Sequence, residues 1–349
     1  MWYYVTCFHP IKAWTAPGLK TKNGKKKLFF QKDKKLSVGL SVPCGQCIGC
    51  RLEQSRQWAV RVSLENQMYD KSIFCTLTYD DEHIPYIVDV DTGEMFQTLK
   101  PIHFTNFMKN LRRQIEYHYP DNGPIRFFGC GEYGSKTERP HFHIIIFGFE
   151  PPDKRLYRTT FNGDKLYNSD FLEKCWKYGF INFGSVTFES AAYVARYVTK
   201  KITGEMAEDH YQGRCPEFVR MSRRPGIGKE WLEKYKGDVY PQDFIVIRDG
   251  IKCRPPRYFD KIFEHWFPNV MENIKLLRTE NSSDSVHDEL VARSSDAYMS
   301  AKVNFSDRIL EKDFLKDLES YFYEFEVLPV KEEVQNAKFK QLKRRLESD

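Results

Sequence analysis

Two histidines and two tyrosines are the side chains whose spacing best suits chemistry. His141 and His143 lie two residues apart in a run that is otherwise apolar. Because successive side chains of a strand point to opposite faces, a strand here puts both imidazoles on one face, where they can share a metal ion. Tyr193 and Tyr197 lie four residues apart, which places two phenols on one face of a helix, with Lys200 close to that face. The pattern predicts a metal-binding strand and a helix that carries paired nucleophiles.

A carboxylate is expected to complete the histidine site. Strands are predicted at 125–132 and 141–149, joined by a polar segment that suits a hairpin loop. An antiparallel hairpin lays Glu132 beside the two histidines. Hard cations prefer oxygen ligands, so the expected ion is Mg²⁺ or Mn²⁺, with Glu132 as its third ligand. Glu138 and Asp80 remain alternatives to Glu132.

A second metal site is predicted near the start of the chain. Three of the nine cysteines form a Cys-x-x-Cys-x-x-Cys cluster in a chain without secretion features, which favours a metal over disulfides. Structural zinc takes four ligands, so Cys44, Cys47 and Cys50 need a partner. Cys7 is the expected fourth ligand and His9 the alternative. An iron–sulfur cluster and free thiols remain open as other interpretations.

The order of these motifs resembles the replication initiators of the HUH endonuclease superfamily, in which a histidine pair precedes the tyrosines and a lysine follows them. Phe74–Asp81 and Gly129–Gly134 resemble further motifs of that superfamily. With Pro43–Cys50 added, the chain is similar, over roughly residues 1 to 260, to the initiators of microviruses. These are small single-stranded DNA bacteriophages, and the similarity is to their gokushovirus branch.

This resemblance implies that the protein nicks one strand at a phage origin and initiates rolling-circle replication. A tyrosine attacks the phosphodiester and keeps the 5′ end as a phosphotyrosine, while the metal polarises the scissile phosphate. Tyr193 and Tyr197 are expected to alternate as nucleophiles. Lys200, with Lys201 as an alternative, is expected to lower the phenol pKa. A plasmid initiator or transposase of the same superfamily is a related interpretation, and a non-catalytic, zinc-containing DNA-binding protein is one of a different class.

Composition agrees with a nucleic-acid partner. The net charge is +6 and aromatic residues make up 15% of the chain, which suits a groove for unpaired bases. Arg223 and Arg224 lie in the basic loop Ser222–Lys229 and are expected to hold DNA phosphates. The expected partners are single-stranded origin DNA, a host helicase and a host DNA polymerase. Without a Walker A loop, no nucleotide cofactor is expected. No apolar run is long enough to span a membrane, so the predicted location is the cytoplasm of the bacterial host.

The elements that must position these residues can also be predicted. Helices are expected at Arg51–Tyr69 and Phe104–Tyr117, and a strand at 72–79. Ser190 is expected to cap the helix that carries the tyrosines, and Gly204 to end it. As the resemblance implies, the fold class is α+β: an antiparallel sheet with flanking helices, HUH endonuclease-like, with an N-terminal zinc-binding segment and a helical C-terminal tail.

Three domains are predicted from the motifs and from shifts in composition. Residues 1–70 form a cysteine-rich zinc-binding segment and helix, residues 71–260 the endonuclease domain, and residues 261–349 the helical tail. The polar stretch Glu280–Ser285 is expected to be a linker or surface loop. Charged helices are expected after it, at Phe305–Phe325 and Lys331–Leu346.

Overall fold

The chain divides into two compact units in a computed structural model. One unit comprises residues 1–53 and 264–343, and the other comprises residues 54–263 and 344–349. The structure describes residues 7–16, 18–21, 27–31, 38–89, 92–134, 137–160, 163–197, 206–247, 250–292 and 328–340. Over these residues every helix is too short or too polar to cross a lipid bilayer.

Strands and helices are numbered in chain order. The strands are β1 (Ile11–Thr15), β2 (Val38–Val42), β3 (Ser72–Tyr79), β4 (Tyr86–Val88), β5 (Met95–Gln97), β6 (Arg126–Tyr133), β7 (Pro140–Phe147), β8 (Arg155–Thr159), β9 (Lys165–Asn168), β10 (Gly179–Ser185), β11 (Phe218–Met221), β12 (Ile245–Val246) and β13 (Lys252–Cys253). The helices are α1 (Ile48–Asn66), α2 (Pro101–His118), α3 (Asp170–Cys175), α4 (Phe188–Tyr197), α5 (Met206–Tyr211), α6 (Lys229–Val239), α7 (Arg257–Trp266), α8 (Pro268–Ala292) and α9 (Leu328–Lys340).

An antiparallel sheet dominates the second unit. Within the described residues it has seven strands, in the order β11, β6, β7, β3, β10, β9, β8. Every neighbouring pair in this order is antiparallel. The predicted α+β class with an antiparallel sheet is therefore confirmed, as are the strand at 72–79 and the two hairpin strands, whose observed bounds differ from the predicted ones by one or two residues.

One face of the sheet packs against α2 and α3. The apolar residues of α2 recur at helical spacing and form a stripe that is entirely buried. This stripe consists of Phe104, Phe107, Met108, Leu111 and Ile115. It meets alternate residues of the central strands, among them Leu77, Phe142 and Ile144. The helix predicted at Phe104–Tyr117 is confirmed, and it begins three residues earlier because Pro101 suits the first helical turn.

The opposite face is covered by α1 and α4. Val62 of α1 and Val194 of α4 share a buried cluster with Phe74, Phe128 and Ile145. Because the same strands are buried on both faces for most of their length, β3, β6 and β7 are almost continuously apolar. Polar side chains replace apolar ones only toward one end of this face.

A buried ion pair holds the other end. Glu65 of α1 is 1% exposed, and its Oε1 accepts a hydrogen bond from the Nε of Arg126 on β6 at 2.5 Å. Its Oε2 accepts from the Gly228 N–H at 2.6 Å, and the Arg126 guanidinium donates to the Pro225 carbonyl at 2.7 Å. The basic loop Ser222–Lys229 is thereby fixed to α1 and β6.

Two local predictions were wrong. The side-chain cap of α4 is Thr187: its N–H donates to Ser190 Oγ at 2.8 Å, and the Ser190 N–H donates to Thr187 Oγ1 at 3.1 Å. Ser190 is thus the third helical residue of a reciprocal capping arrangement, not the cap itself. The predicted linker Glu280–Ser285 lies within α8. Serine, asparagine and aspartate disfavour a helix only weakly, and no glycine or proline interrupts this stretch.

The other predicted helices are only partly covered by the structure. Helix α9 begins three residues before the predicted start at Lys331, and its predicted end at Leu346 lies outside the described residues. Phe305–Phe325 and Gly204 also lie outside them. Helix α1 spans Ile48–Asn66, three residues earlier than predicted.

Gly179, at the start of β10, provides a test of the sheet. Its φ is +142°, and a Cβ there would lie 2.3 Å from the Asp80 nitrogen and 2.5 Å from the Thr78 carbonyl oxygen. We expect Gly179→Ala to lower the free energy of unfolding by about 1–3 kcal/mol through backbone strain and overpacking. Gly237→Ala in α6 is the control, since its Cβ meets open space and alanine favours a helix by about 0.5–1 kcal/mol. Urea unfolding measures both, and equal effects would refute the steric argument.

Candidate active site

The strand register places the predicted ligands next to one another. In the β6–β7 pair, Glu132 is directly opposite His141. In the β7–β3 pair, His141 is opposite Thr78 and His143 is opposite Thr76. Residues opposite one another on antiparallel strands share a face, so these side chains lie together on the face that α4 covers in part. The predicted placement of Glu132 beside the histidines is the observed one.

Glu132 contacts both imidazoles through one oxygen. Its Oε1 lies 2.8 Å from His141 Nε2 and 2.7 Å from His143 Nε2. The Nδ1 of His141 lies 3.0 Å from the Arg139 carbonyl, which only accepts hydrogen bonds, so in the neutral ring Nδ1 carries the hydrogen and Nε2 the lone pair. The Nδ1 of His143 lies 3.1 Å from Thr76 Oγ1. Second contacts of this kind orient a histidine whose other nitrogen binds a metal.

The electrostatics of the cluster favour a cation. One ligand atom from each of Glu132, His141 and His143 lies within 4.8 Å of the other two. Glu132 is 2% exposed, and its burial raises the pKa of the carboxyl group. Hydrogen bonds from both histidines nevertheless hold this pKa well below its usual range. A buried carboxylate that stays ionised needs a positive partner, which a protonated histidine or a metal ion supplies.

Tyr193 brings a phenol to the same cluster. Its hydroxyl lies 3.4 Å from Glu132 Oε1 and 3.5 Å from His143 Nε2. Its ring meets the His143 ring edge-on, with centroids 5.0 Å apart, while Phe74 stacks on that imidazole at 5.5 Å. The Arg196 guanidinium lies 5.7 Å from the centroid of the Tyr193 ring. A phenol, a carboxylate and two imidazoles thus share one site.

Other predicted residues are placed less directly. Tyr197 ends α4, one turn after Tyr193, and its side chain lies outside what the structure describes. Lys200 and Lys201 also lie outside the described residues. The two alternative ligands have other partners: Asp80 binds His83 at 2.7 Å, and Glu138 binds Arg214 at 2.6 Å. Neither joins the cluster around Glu132.

Three contributors were not predicted. Thr76 and Phe74 orient His143, and Arg196 lies beside the Tyr193 ring. The sequence carried a signal for Thr76, since the threonines of β3 share the parity of the histidine face. Arg196 is three residues after Tyr193, a spacing that places two side chains on one face of a helix.

Arg223 and Arg224 do not lie at this site. Both are exposed and line a cavity of about 600 Å³ together with Tyr69, Arg112 and Arg126. Arg126 and Glu132 are at opposite ends of β6, which separates the cavity from the cluster by roughly 20 Å at the rise of a strand. Any contact that these arginines make with DNA concerns a part of the strand remote from the cluster.

The four N-terminal cysteines form a separate cluster in the first unit. Sγ atoms lie 3.9 Å apart for Cys7 and Cys47, and 4.0 Å apart for Cys44 and Cys50. A zinc tetrahedron with bonds of about 2.3 Å has edges of about 3.8 Å, so the spacing fits this ion. His9, the alternative ligand, lies 2.9 Å from Glu332 instead.

Backbone donors surround these sulfurs. The Cys44 N–H donates to Cys7 Sγ at 3.2 Å, and the Phe8 N–H donates to Cys47 Sγ at 3.3 Å. Burial raises the pKa of the Cys44 thiol, but the N–H groups of Cys47 and Gln46 outweigh it and lower this pKa to about 7. Burial raises the pKa of Cys7 and of Cys50. A thiolate at Cys44 is the form that binds a metal.

Comparison with known proteins identifies the family. Residues 72–202 match the model of a family described as replication-associated protein ORF2, a range that includes Glu132, both histidines and both tyrosines. The chain is 36% identical over 265 residues to the replication-associated protein VP4 of Bdellovibrio phage phiMH2K, covering 75% of this chain and 78% of that protein. The chain belongs to the phage replication-associated protein family. This membership confirms the resemblance drawn from the motifs.

Two further members of the family are similar over shorter ranges. The replication-associated protein ORF2 of Spiroplasma virus 4 is 36% identical over 240 residues, covering 67% of this chain and 71% of that protein. The replication-associated protein ORF4 of Chlamydia phage 1 is 34% identical over 223 residues, covering 62% of this chain and 52% of that protein. No solved structure matches this replication-associated protein.

The ionised state of Glu132 leads to a prediction about stability. A carboxylate whose pKa is lowered by folding stabilises the fold above its unfolded pKa, and this contribution is lost as the pH falls toward the folded pKa. In chelator-treated protein, we expect the stability difference between wild type and Glu132→Gln to shrink below pH 4.5, by up to about 1.4 kcal/mol per pH unit. Urea unfolding between pH 3 and 7 measures it. A difference that does not vary with pH would contradict the lowered pKa.

Proposed function

We propose that this protein initiates replication of a single-stranded DNA phage by nicking one strand at the origin. The observation that supports this most directly is the convergence of Glu132, His141, His143 and the Tyr193 hydroxyl at one end of the sheet. Membership of the replication-associated family supports the role in replication. The three ligands and the nucleophile on a helix support an endonuclease of the HUH type.

Glu132, His141 and His143 would hold a divalent cation, for which we propose Mg²⁺ or Mn²⁺. The donor set fits, because one ionised carboxylate oxygen and two imidazole nitrogens face one point. When bound, the cation would polarise the scissile phosphate and neutralise charge on its oxygens. His141 has the most accessible side chain of the three, 18% exposed against 6% for His143, so the phosphate would approach from its side.

Tyr193 would act as a nucleophile that the cluster can activate. Its Oη attacks phosphorus, the bond from phosphorus to the 3′ oxygen breaks, and the strand is left with a free 3′-hydroxyl and a 5′-phosphotyrosine. The phenolic proton passes to a nearby base, for which Glu132 and His143 are within 3.5 Å of the hydroxyl. Attack by a 3′-hydroxyl reverses the step and rejoins the strand, so no ATP is needed.

Tyr197 would perform the second transfer. A helix offers residues four apart to the same place, so one tyrosine can hold the 5′ end while the other cuts the regenerated origin. Lys200 would supply positive charge that lowers the pKa of the attacking phenol. Host helicase and DNA polymerase would open the duplex and extend the 3′-hydroxyl, since a Walker A loop is absent from the sequence.

A covalent adduct tests the chemistry. Purified protein with Mn²⁺ and labelled oligonucleotides that tile the phage genome is expected to form a denaturant-resistant complex at the origin. We expect Tyr193→Phe with Tyr197→Phe to abolish the adduct, and each single variant to nick without completing repeated rounds. Tyr117→Phe, on the exposed side of α2, is the matched control and keeps full activity. Peptide mapping by mass spectrometry identifies the modified tyrosine.

Two results would argue against this mechanism. If both single variants complete repeated rounds, the tyrosines do not alternate. If wild type binds single-stranded DNA tightly but forms no adduct on any tile, the protein is a non-catalytic DNA-binding member of its family.

We further propose that Cys7, Cys44, Cys47 and Cys50 bind a structural zinc ion. Purified wild type is expected to contain one zinc per chain by elemental analysis, and Cys44→Ser to lose it with a lower melting temperature. Cys253→Ser, which lies outside the cluster, is the control and keeps the zinc. Stoichiometric iron with visible absorbance would indicate an iron–sulfur cluster instead, and metal-free wild type with unchanged melting would indicate free thiols.

A further inference from the structure

An aromatic residue lies in the same cross-strand row as the active-site cluster. Phe180 of β10 is opposite Thr78 of β3, Thr78 is opposite His141 of β7, and His141 is opposite Glu132 of β6. Opposed residues of antiparallel strands share a face, so all four side chains rise from one face of the sheet. With strands about 4.8 Å apart, the Phe180 backbone lies roughly 10 Å from that of His141.

Exposure changes sharply along this row. Glu132 is 2% exposed, whereas Phe180 is 68% exposed. The neighbours of Phe180 along the strand behave differently: Ile181 and Phe183 are buried on the opposite face and belong to the core that α2 covers. Phe180 therefore contributes almost nothing to the core, and its ring is available to a partner on the active-site side of the sheet.

The surroundings of Phe180 suit a polyanionic strand. The Arg139 guanidinium donates to the Tyr79 carbonyl at 2.6 Å, and Tyr79 directly follows Thr78. A cation therefore lies at the strand end next to Phe180, although Asp81 shares it at 2.8 Å. Asn182 has the same parity as Phe180 and provides a polar neighbour on the same face. An aromatic ring beside a cation is the combination with which proteins bind unpaired nucleic acid, by base stacking and phosphate contact.

We propose that Phe180 stacks on a nucleobase that flanks the scissile phosphate and so positions the unpaired strand on the cluster. This inference rests on the proposed endonuclease function, to which it adds a substrate-contacting residue. Every base has a π-face, so stacking positions the strand without reading its sequence. Loss of the ring is therefore expected to weaken binding of all oligonucleotides alike, and to leave the choice of origin unchanged.

Binding measurements test the stacking contact. Fluorescence anisotropy with a single-stranded origin oligonucleotide is expected to give a Kd about 5- to 100-fold weaker for Phe180→Ala than for wild type. Phe180→Trp is expected to retain the affinity, because it keeps an aromatic face. Tyr117→Ala is the matched control: Tyr117 is 80% exposed, on the helix that covers the opposite face of the sheet. Melting temperatures should agree among all four proteins.

Kinetics separate positioning from a structural effect. We expect Phe180→Ala to raise the KM for adduct formation and to keep the rate at saturating oligonucleotide near that of wild type. Photocrosslinking with 5-iododeoxyuridine, placed singly along the oligonucleotide, is expected to link Phe180 to a position beside the cleavage site. A crosslink to Phe180 only at remote positions, or none at all, would overturn the assignment.

The outcomes distinguish this inference from the proposed chemistry. If wild type forms the adduct and Phe180→Ala binds DNA with unchanged Kd, the stacking contact is wrong and the endonuclease stands. If wild type forms no adduct but its DNA affinity depends on Phe180, the endonuclease is wrong, and Phe180 contacts DNA without flanking a scissile phosphate. If wild type does not bind single-stranded DNA, both proposals fail.

Discussion

The register of three neighbouring strands is the constraint on which the site depends. A shift of one residue between β6 and β7 would turn Glu132 to the face opposite the histidines, because side chains alternate along a strand. The apolar residues on both faces resist such a shift, since it would exchange two different buried surfaces. Most of the sheet therefore contributes to the site indirectly, by fixing which residues face each other at its polar end.

The cluster itself is held by opposing demands. Burial disfavours the charge on Glu132, while two imidazoles and their outer contacts favour it. Helix α4 adds Tyr193 at the edge of this arrangement, and the paired hydrogen bonds between Thr187 and Ser190 fix where that helix starts. The phenol, the carboxylate and the rings are thus oriented by strands and a capped helix, which hold side chains more rigidly than loops do.

Periodic patterns were predictable from the sequence, and tertiary placement was not. The five buried residues of α2 and the facing of Glu132 and His141 follow from helical and strand periods, which local sequence encodes directly. Helix α8 contradicted a prediction based on polar composition, because propensity differs little between such residues and depends on context. The position of Arg223 and Arg224, far from the cluster, depends on which end of β6 binds their loop, and only the folded chain determines that.

The first unit is assembled from both ends of the chain, and this has a consequence for synthesis. Cys47 and Phe8 are buried in one cluster with Leu328, and His9 pairs with Glu332. Ribosomes release a chain from its N-terminus, and domains fold as their residues emerge. The sheet, within residues 54–263, is complete while the partners of the cysteine segment are still untranslated. The N-terminal thiols must therefore wait, reduced and unpacked, until nearly the whole protein has been made.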